Sequence, residues 1–374
     1  MDALFLYGTL RHEALRDIVT GSAAGGAPVP ARLPGHAVRW AMGENFPLIV
    51  EAEGREAAGL LLEDVAPGAR ARLDYYEDSF GYRLRPVRVI AATGPVDAQM
   101  YVPPENGYLP GEPWNLDEWA ARWGALTCLT AEEILADMDR RPASEVAGRF
   151  GPLHARAQAR LNARKSAPTT LRRKAGPGDV RLRRRALAYS RFFTVEEYDF
   201  SHRKFSGEHG DEINRSTFVS ADAVTVLPYD PVRDRVLLVE QFRAGPYARG
   251  DSQPWMLEAI AGRIDGGETP EQTARREAIE ESGLTLRDLH LVVQYYPTPG
   301  AKSEYLFGYL ATADLPDNAA TDGGLESEGE DIRSHVIPFA QAMDLVKSGE
   351  INVGPLIILL LYLDRMRETL RSSG

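Results

Sequence analysis

The spacing of hydrophobic residues changes twice along the chain. Up to about residue 110, short apolar runs are broken by Gly and Pro. Ala3–Tyr7, stopped by Gly8, reads as a strand, as do Val87–Ile90 and Ala98–Val102. A Pro/Gly cluster from Pro103 to Pro113 closes this region. From 115 to 165 the period becomes helical, with Leu116, Trp119, Ala120 and Trp123 on one stripe. Thr130-Ala131-Glu132-Glu133 reads as the start of a further helix that Pro142 ends. A polar stretch rich in Pro and Gly runs from Lys165 to Gly178. Beyond 180, Ala223–Leu227 and Arg235–Glu240 read as strands joined by a hairpin turn at Asp230–Asp234. A helix is expected over Pro270–Glu281, strands over Leu289–Tyr296 and Glu304–Ala311, and helices from Phe339 and from Pro355. The pattern divides the chain into a β-rich domain (1–112), a helical and basic linker (113–180) and an α/β domain (181–374). The whole is a mixed α+β and α/β protein.

Length and composition narrow the classes. A chain of 374 residues suits two domains. With 44% apolar and 26% charged residues it is globular rather than disordered. Cys128 is the one cysteine, so no internal disulfide forms, which fits a reducing compartment and a cytoplasmic protein. The opening MDALFLYGTLR lacks the pattern of a secretory signal. The longest apolar run, Leu356–Leu363, is far short of the roughly 20 residues of a membrane span. A net charge of −11 speaks against nucleic acid as a partner and fits carboxylates gathered around metal ions. Arg156–Arg185 nonetheless holds eleven Lys and Arg against one acid. It reads either as a solvated linker with helix-surface charges or as a dock for an anionic partner.

The densest chemistry lies between Gly262 and Leu284. Thr269 can cap a helix, with Pro270 at its first position and Gln272 completing a capping box. Gly283 suits the left-handed residue after it. The helix then carries Glu277, Glu280 and Glu281 at i, i+3 and i+4, hence on one face. Such carboxylates repel one another near the negative end of the helix dipole. Arg276 can pair with Glu280 and Glu271 with Arg275, which leaves Glu277 and Glu281 without a clear partner. A hard divalent cation, Mg²⁺ or Mn²⁺, removes the conflict. The alternative is an acidic surface helix.

The whole string resembles the Nudix box, G-x5-E-x7-R-E-U-x-E-E-x-G-U with U apolar. Gly262, Glu268, Arg276, Glu277, Glu280, Glu281, Gly283 and Leu284 match its fixed positions. The resemblance implies an α/β/α sandwich that hydrolyses a nucleoside diphosphate linked to another moiety. The flanks are similar to the ADP-ribose pyrophosphatase branch. Val239–Arg243 and Pro254–Gly262 precede the box, Pro299 lies fifteen residues beyond Leu284, and the segments Thr298–Glu304 and Gly324–Ile332 match two loops of that branch. By that resemblance Glu277, Glu280, Glu281, Glu330 and the Ala261 carbonyl would hold Mg²⁺, or Mn²⁺, and Glu328 would be the general base. Arg243 and Arg215 would hold phosphates, Phe192 and Phe193 would stack on adenine, and Thr298 and Glu304 would touch substrate. The substrate would be a nucleoside diphosphate sugar, with AMP and ribose 5-phosphate as products of ADP-ribose. The branch also implies a homodimer with composite sites, to which Arg215, Phe192 and Phe193 would contribute. Ser216 and Ser220 stand where the branch often has charged residues, and Tyr305 where it often has an arginine.

The N-terminal region carries a second resemblance. Phe5-Leu6-Tyr7-Gly8-Thr9-Leu10-Arg11 and Leu73–Glu77, followed by Gly81–Val89, resemble the γ-glutamylcyclotransferase-like, or AIG2-like, family. That implies a small mixed β-barrel in which the Tyr7–Leu10 backbone receives a substrate carboxylate and Glu77 is the acid/base. Tyr75, Tyr76 and Phe80 could supply the low-polarity wall that such a carboxylate needs. The fold alone does not carry the activity, so a binding or structural module is the main reading, with weak or absent 5-oxoproline formation expected and an active cyclotransferase as the alternative. The fusion also resembles tellurite-resistance-type Nudix proteins, a label that names a phenotype. The leading expectation is therefore Mg²⁺-dependent ADP-ribose hydrolysis. The alternatives are another ADP-sugar or nucleotide sugar as substrate, a regulator that binds ADP-ribose without turnover, and a bifunctional protein with cyclotransferase activity.

Overall fold

The computed structural model describes residues 3–21, 26–104, 107–165, 167–191, 193–325 and 329–373. Its contacts divide the chain into two units, Met1–Lys165 and Ser166–Gly374.

The N-terminal unit contains β1 (Leu4–Leu6), α1 (Glu13–Thr20), β2 (Val29–Ala41), β3 (Pro47–Leu62), α2 (Pro67–Asp78), β4 (Arg83–Ala91), β5 (Gly94–Val102) and β6 (Pro110–Pro113). Strands run in the order β3-β1-β5-β4-β2, and β2 pairs back onto β3, so five strands close into a barrel that β6 extends. β1 is parallel to β5 and antiparallel to β3, which makes the barrel mixed. Closure removes the open edges that a five-stranded sheet would otherwise present. Gly59 is required by space: a Cβ there would lie 2.4 Å from the Phe5 ring inside the barrel.

Helices follow as α3 (Leu116–Trp119), a single π-helical turn (Ala120–Gly124), α4 (Ala125–Leu135) and α5 (Phe150–Ala163). Their sequence pattern reads as a linker, but they belong to this unit, which runs past residue 112 to Lys165. Trp119, Ile134 and Leu153 share one core with Leu4, Leu62 and Leu73, and the Trp119 indole donates to the Asn45 carbonyl at 2.9 Å. Burial of this apolar face, rather than connection, is the reason the helices form. Thr130 does not start a helix. It lies inside α4 with its hydroxyl on the Leu126 carbonyl at 2.9 Å, a back-bond that a mid-helix threonine can make. The helix also ends at Leu135, before Pro142.

The C-terminal unit opens with an antiparallel sheet of β7 (Val180–Ser190), β8 (Thr194–His202) and β9 (Ile213–Val219). The main sheet uses β10 (Ala223–Asp230), β11 (Arg235–Phe242), β12 (Trp255–Glu258), β13 (Ile260–Arg263), β14 (Leu289–Tyr295), β15 (Leu306–Thr312), β16 (Asp322–Gly323) and β17 (Ile332–Pro338), with helices α6 (Ala244–Arg249), α7 (Pro270–Ser282), α8 (Phe339–Ser348) and α9 (Gly354–Ser373). The order is β14-β15-β10-β11-β17-β16, with β12 on β11 and β13 on β10. Only β10 and β15 in this sheet pair in parallel among the described residues. The two faces of the central strands go to different cores. Val224, Val226, Leu237 and Val239 pack with Ala274 and Ala278 of α7. Leu227, Tyr229, Val236 and Leu238 pack with Phe339 of α8 and Leu359 of α9. Period-two alternation with both faces apolar is what gives an α/β/α sandwich.

Among the described residues, six of the eleven basic side chains of the run close ion pairs within the fold. Arg156 and Arg160 pair with the buried Glu133, Arg173 with Asp179, Arg183 and Arg184 with Asp199, and Arg185 with Glu196. Those charges close ion pairs and do not stand free for an anionic partner. Among the described residues, no helix is long and apolar enough to cross a membrane.

Candidate active sites

α7 forms as its caps predict. The Thr269 side chain accepts from Gln272 N–H at 3.2 Å and Gln272 returns the bond to Thr269 N–H at 2.9 Å. Gly283 takes the left-handed conformation, φ 64°, and its N–H reaches the Ile279 carbonyl. Arg275 differs from expectation: rather than pairing with Glu271, it donates to the Leu286 and Arg287 carbonyls and ties down the chain after the helix.

Arg276 is the hub of the carboxylates. It donates to Glu268 through Nε and Nη2, both at 3.0 Å, and through Nη1 to Glu277 and Glu280, both at 2.8 Å. Glu277 therefore has a partner that helical spacing does not suggest, its own neighbour in sequence. Glu281 is the buried member, 1% exposed, and accepts the Ala261 N–H at 3.3 Å. In an antiparallel strand the N–H and C=O of one residue leave by the same edge, so the Ala261 carbonyl faces the cluster too. Gly262 explains why the box needs glycine here. Its φ is ordinary, but a Cβ would lie 1.8 Å from a Glu277 oxygen. Gly323 and Gly324 pack against the end of α7: a Cβ on Gly323 would come within 2.1 Å of the Glu281 carbonyl oxygen, and Gly324 N–H donates to the Glu280 carbonyl at 3.0 Å. Sequence reasoning named Gly324 only as the start of a loop segment and passed over Gly323, and the signal of both is their pairing ahead of an acidic run. Glu330 accepts from Leu325 N–H at 3.2 Å.

Burial pushes the Glu277 carboxyl up to about 7, against the opposing pull of Arg276 and with the help of Glu280 and Glu330. Burial first, then Glu277 and Glu330, raise Glu281 well above the usual carboxylate range. Among the described residues, no three His, Cys, Asp or Glu side chains are drawn together as a closed metal-binding set. The buried Glu281 and the partly buried Glu277 are held together at an electrostatic cost that a divalent ion would relieve.

A second group gathers on the loop after β14. Phe193 lies 6.1 Å from Phe218 and 5.9 Å from the Lys302 ammonium, which bonds Glu304 at 2.7 Å. The Thr298 carbonyl accepts the N–H groups of Ala301 and Lys302, while Phe218 and Ser220 pin the loop through Ala301 and Ser303. Phe193, Thr298 and Glu304 thus come together, joined by Lys302 and Phe218, which motif matching did not single out. Arg243 donates to Glu258 at 2.8 and 2.6 Å, and its charge is felt by Glu281. Arg215 stands exposed on β9 with its guanidinium on the Asn214 carbonyl. Phe192 and Glu328 lie outside the described residues.

The N-terminal unit holds a cavity of about 520 Å³, within the usual range for ligand pockets of about 300–1,000 Å³. Glu77, on α2, and the Tyr7–Leu10 segment both line it. Tyr76, Phe80, Tyr82, Tyr101 and Trp119 supply aromatic walls, and no Lys or Arg lines it among the described residues. The Glu77 carboxylate has no hydrogen-bond or ion-pair partner among the described residues, and burial pushes it up to about 8. The Tyr7 hydroxyl is buried without a partner. The low-polarity wall expected around Glu77 is present, although Tyr75 does not line the cavity.

The α/β/α sandwich with glutamates of α7 against β13 is matched by a hydrolase family. The family described as NUDIX domain matches residues 219–357, and the family described as gamma-glutamyl cyclotransferase, AIG2-like, matches residues 4–120. The chain is 38% identical over 198 residues to the ADP-ribose pyrophosphatase of Escherichia coli (strain K12), covering 53% of this chain and 94% of that protein. It is 34% identical over 199 residues to the ADP-ribose pyrophosphatase of Haemophilus influenzae, covering 52% and 90%. It is 32% identical over 176 residues to the GDP-mannose pyrophosphatase of Salmonella paratyphi B, covering 46% and 88%. The chain belongs to the Nudix family and carries an AIG2-like domain ahead of its Nudix domain.

Proposed function

We propose that the C-terminal unit hydrolyses the pyrophosphate of ADP-ribose to AMP and ribose 5-phosphate with a divalent cation, Mg²⁺ or Mn²⁺. The observation that carries this is the buried Glu281 with the partly buried Glu277 beside Ala261, a carboxylate arrangement without a complete set of cationic partners. Glu277, Glu281, Glu330 and the Ala261 carbonyl would hold the ion, with Glu280 sharing the cluster through Arg276. A bound ion of this kind neutralises pyrophosphate oxygens and makes bound water more acidic. Arg243 would turn its guanidinium fork to phosphate, and Phe193 would offer a face to the adenine. Water adds to one phosphorus as the bridging P–O bond breaks, and a glutamate takes the water's proton. Glu328 is the first choice for that base by family likeness, with Glu330 and Glu304 next. The exposed Leu182, Tyr189 and Phe218 of the small sheet support a homodimer with composite sites, in which Arg215 serves the partner. Sedimentation that finds an active monomer rejects that assembly. Hydrolysis is tested with a panel of ADP-ribose, other ADP-sugars and GDP-mannose in Mg²⁺, identifying products. AMP and ribose 5-phosphate as the fastest-formed products are expected, and a preference for GDP-mannose replaces the reading.

A second reading rests on Glu77. A lone carboxylate pushed up to about 8 inside an aromatic cavity suits proton transfer near neutral pH. In γ-glutamyl cyclotransfer the substrate's α-amine attacks its γ-carbonyl carbon, a lactam forms, and the amide C–N bond breaks. Glu77 would take the proton from the amine and deliver it to the leaving nitrogen. Release of 5-oxoproline by the wild-type chain but not by Glu77→Gln tests it.

A further inference from the structure

The AIG2-like match ends at residue 120, but the cavity beside Glu77 does not. Thr127, Thr130, Ala147, Phe150 and His154, all from the helices that follow, line it as well. Phe150 and His154 lie one turn apart on α5 and stack, with ring centroids 5.0 Å apart and planes at 26°. Phe150 meets Phe80 edge-on at 5.6 Å, and Phe80 meets Tyr76 at 5.3 Å. The wall from α5 is therefore continuous with the end of α2 that carries Glu77.

The chemistry of this wall is specific. The His154 ring nitrogens have no hydrogen-bond partner among the described residues. Burial lowers the basicity of the ring, so it presents one donor and one acceptor. The Thr127 and Thr130 hydroxyls spend their protons on the Trp123 and Leu126 carbonyls and face outward only as acceptors. The charged residues lining the cavity, Glu44 and Glu77, are both acidic. A ligand carboxylate on this side could use only the His154 N–H and would otherwise face acceptors with no Lys or Arg to balance its charge, whereas an amide, which both donates and accepts, would find its complement.

We propose that Phe150 and His154 determine which ligand the N-terminal cavity accepts: the α5 wall takes an uncharged amide on the part of the ligand beyond its glutamyl group and rejects a carboxylate there. The proposal rests on the cyclotransferase reading of Glu77, and the test separates the two.

Full-length protein is given γ-glutamylglycinamide, γ-glutamylglycine and γ-glutamyl-n-butylamide, and both 5-oxoproline release and calorimetric affinity are measured. Wild type is expected to favour the glycinamide over the free glycine by about tenfold or more in kcat/KM, the scale of discrimination when polar groups are left unpaired. His154→Phe keeps the stack and removes the nitrogens. It is expected to lose about tenfold on the glycinamide and at most about twofold on the n-butylamide, which has no polar group beyond the scissile bond. His154→Gln is expected to restore part of the loss. Equal handling of glycinamide and glycine by wild type overturns the proposal, as does a uniform fall on all three probes in His154→Phe. The same ranking in affinity without any 5-oxoproline keeps the proposal and rejects cyclotransfer. Failure of wild type to bind any of the three overturns the proposal.

Discussion

Both units bury a glutamate whose proton is held more tightly than usual, yet the surroundings are opposite. In the N-terminal unit Glu77 stands alone among aromatic rings, and burial by itself raises it. In the C-terminal unit Glu277 and Glu281 are raised by burial and by other carboxylates, while Arg276 and Arg243 pull the other way. A lone carboxyl in an apolar wall can be filled or emptied by one proton, which suits acid–base work. Clustered carboxylates with one arginine among them call for more positive charge than a proton supplies, which suits a divalent ion. The same residue type is thus set to two chemistries by its neighbours.

The sharpest way to break this contrast is Glu281→Gln. It keeps size and removes a charge, and it should lower ADP-ribose turnover on the order of a thousandfold while leaving the Glu77 cavity untouched. Near wild-type turnover would remove Glu281 from the metal set. Gly262→Ala comes next: the added methyl displaces the Glu277 carboxylate, and a misplacement of about 1 Å costs about a hundredfold. Steady-state rates together with an unchanged circular dichroism spectrum check it, and full activity in Gly262→Ala would show that Glu277 need not stay where it is. Arg243→Ala should raise KM for ADP-ribose by about tenfold through loss of charge-assisted phosphate contacts, with a smaller effect on kcat. A fall in kcat alone would mean that Arg243 acts through Glu258 instead.

The last effect is read on stability rather than on rate, as a slope with pH. Folded protein keeps Glu77 protonated up to about pH 8, while an unfolded chain releases that proton near 4.5. Between these values the folded state binds more protons, so this group makes stability fall as pH rises from 4.5 to 8. Glu77→Gln removes that slope. Its melting temperature should gain on wild type by about ten degrees between about pH 5 and about pH 8, read from the transition of the N-terminal unit. Parallel curves would mean that Glu77 is not held in its neutral form.

Much of the Nudix site was legible because its grammar is local. Thr269, Pro270, Gln272 and Gly283 bound α7 through contacts within a few residues, so their spacing is a sufficient signal. The loop group was half legible: Thr298 and Glu304 sit in a recognisable segment, but Lys302 joins them to Phe193 across more than a hundred residues. The helices between 116 and 163 were read by period alone. Period shows that one face is apolar and not what it packs against, so these helices passed for a linker.

What the sequence determined by itself is the set of elements and the residue types each one carries: the capped helix with three glutamates, the strands apolar on both faces, and Glu77 beside its tyrosines. Hydrogen bonds and steric rules within a few residues suffice for those. Only the tertiary structure decided that Gly262 must lack a Cβ because Glu277 lies over it, that Gly323 and Gly324 pack against the end of α7, and that α5 lends Phe150 and His154 to the barrel's cavity. The reason is that close approach between distant segments depends on how whole elements pack, and no local pattern of side chains encodes that distance.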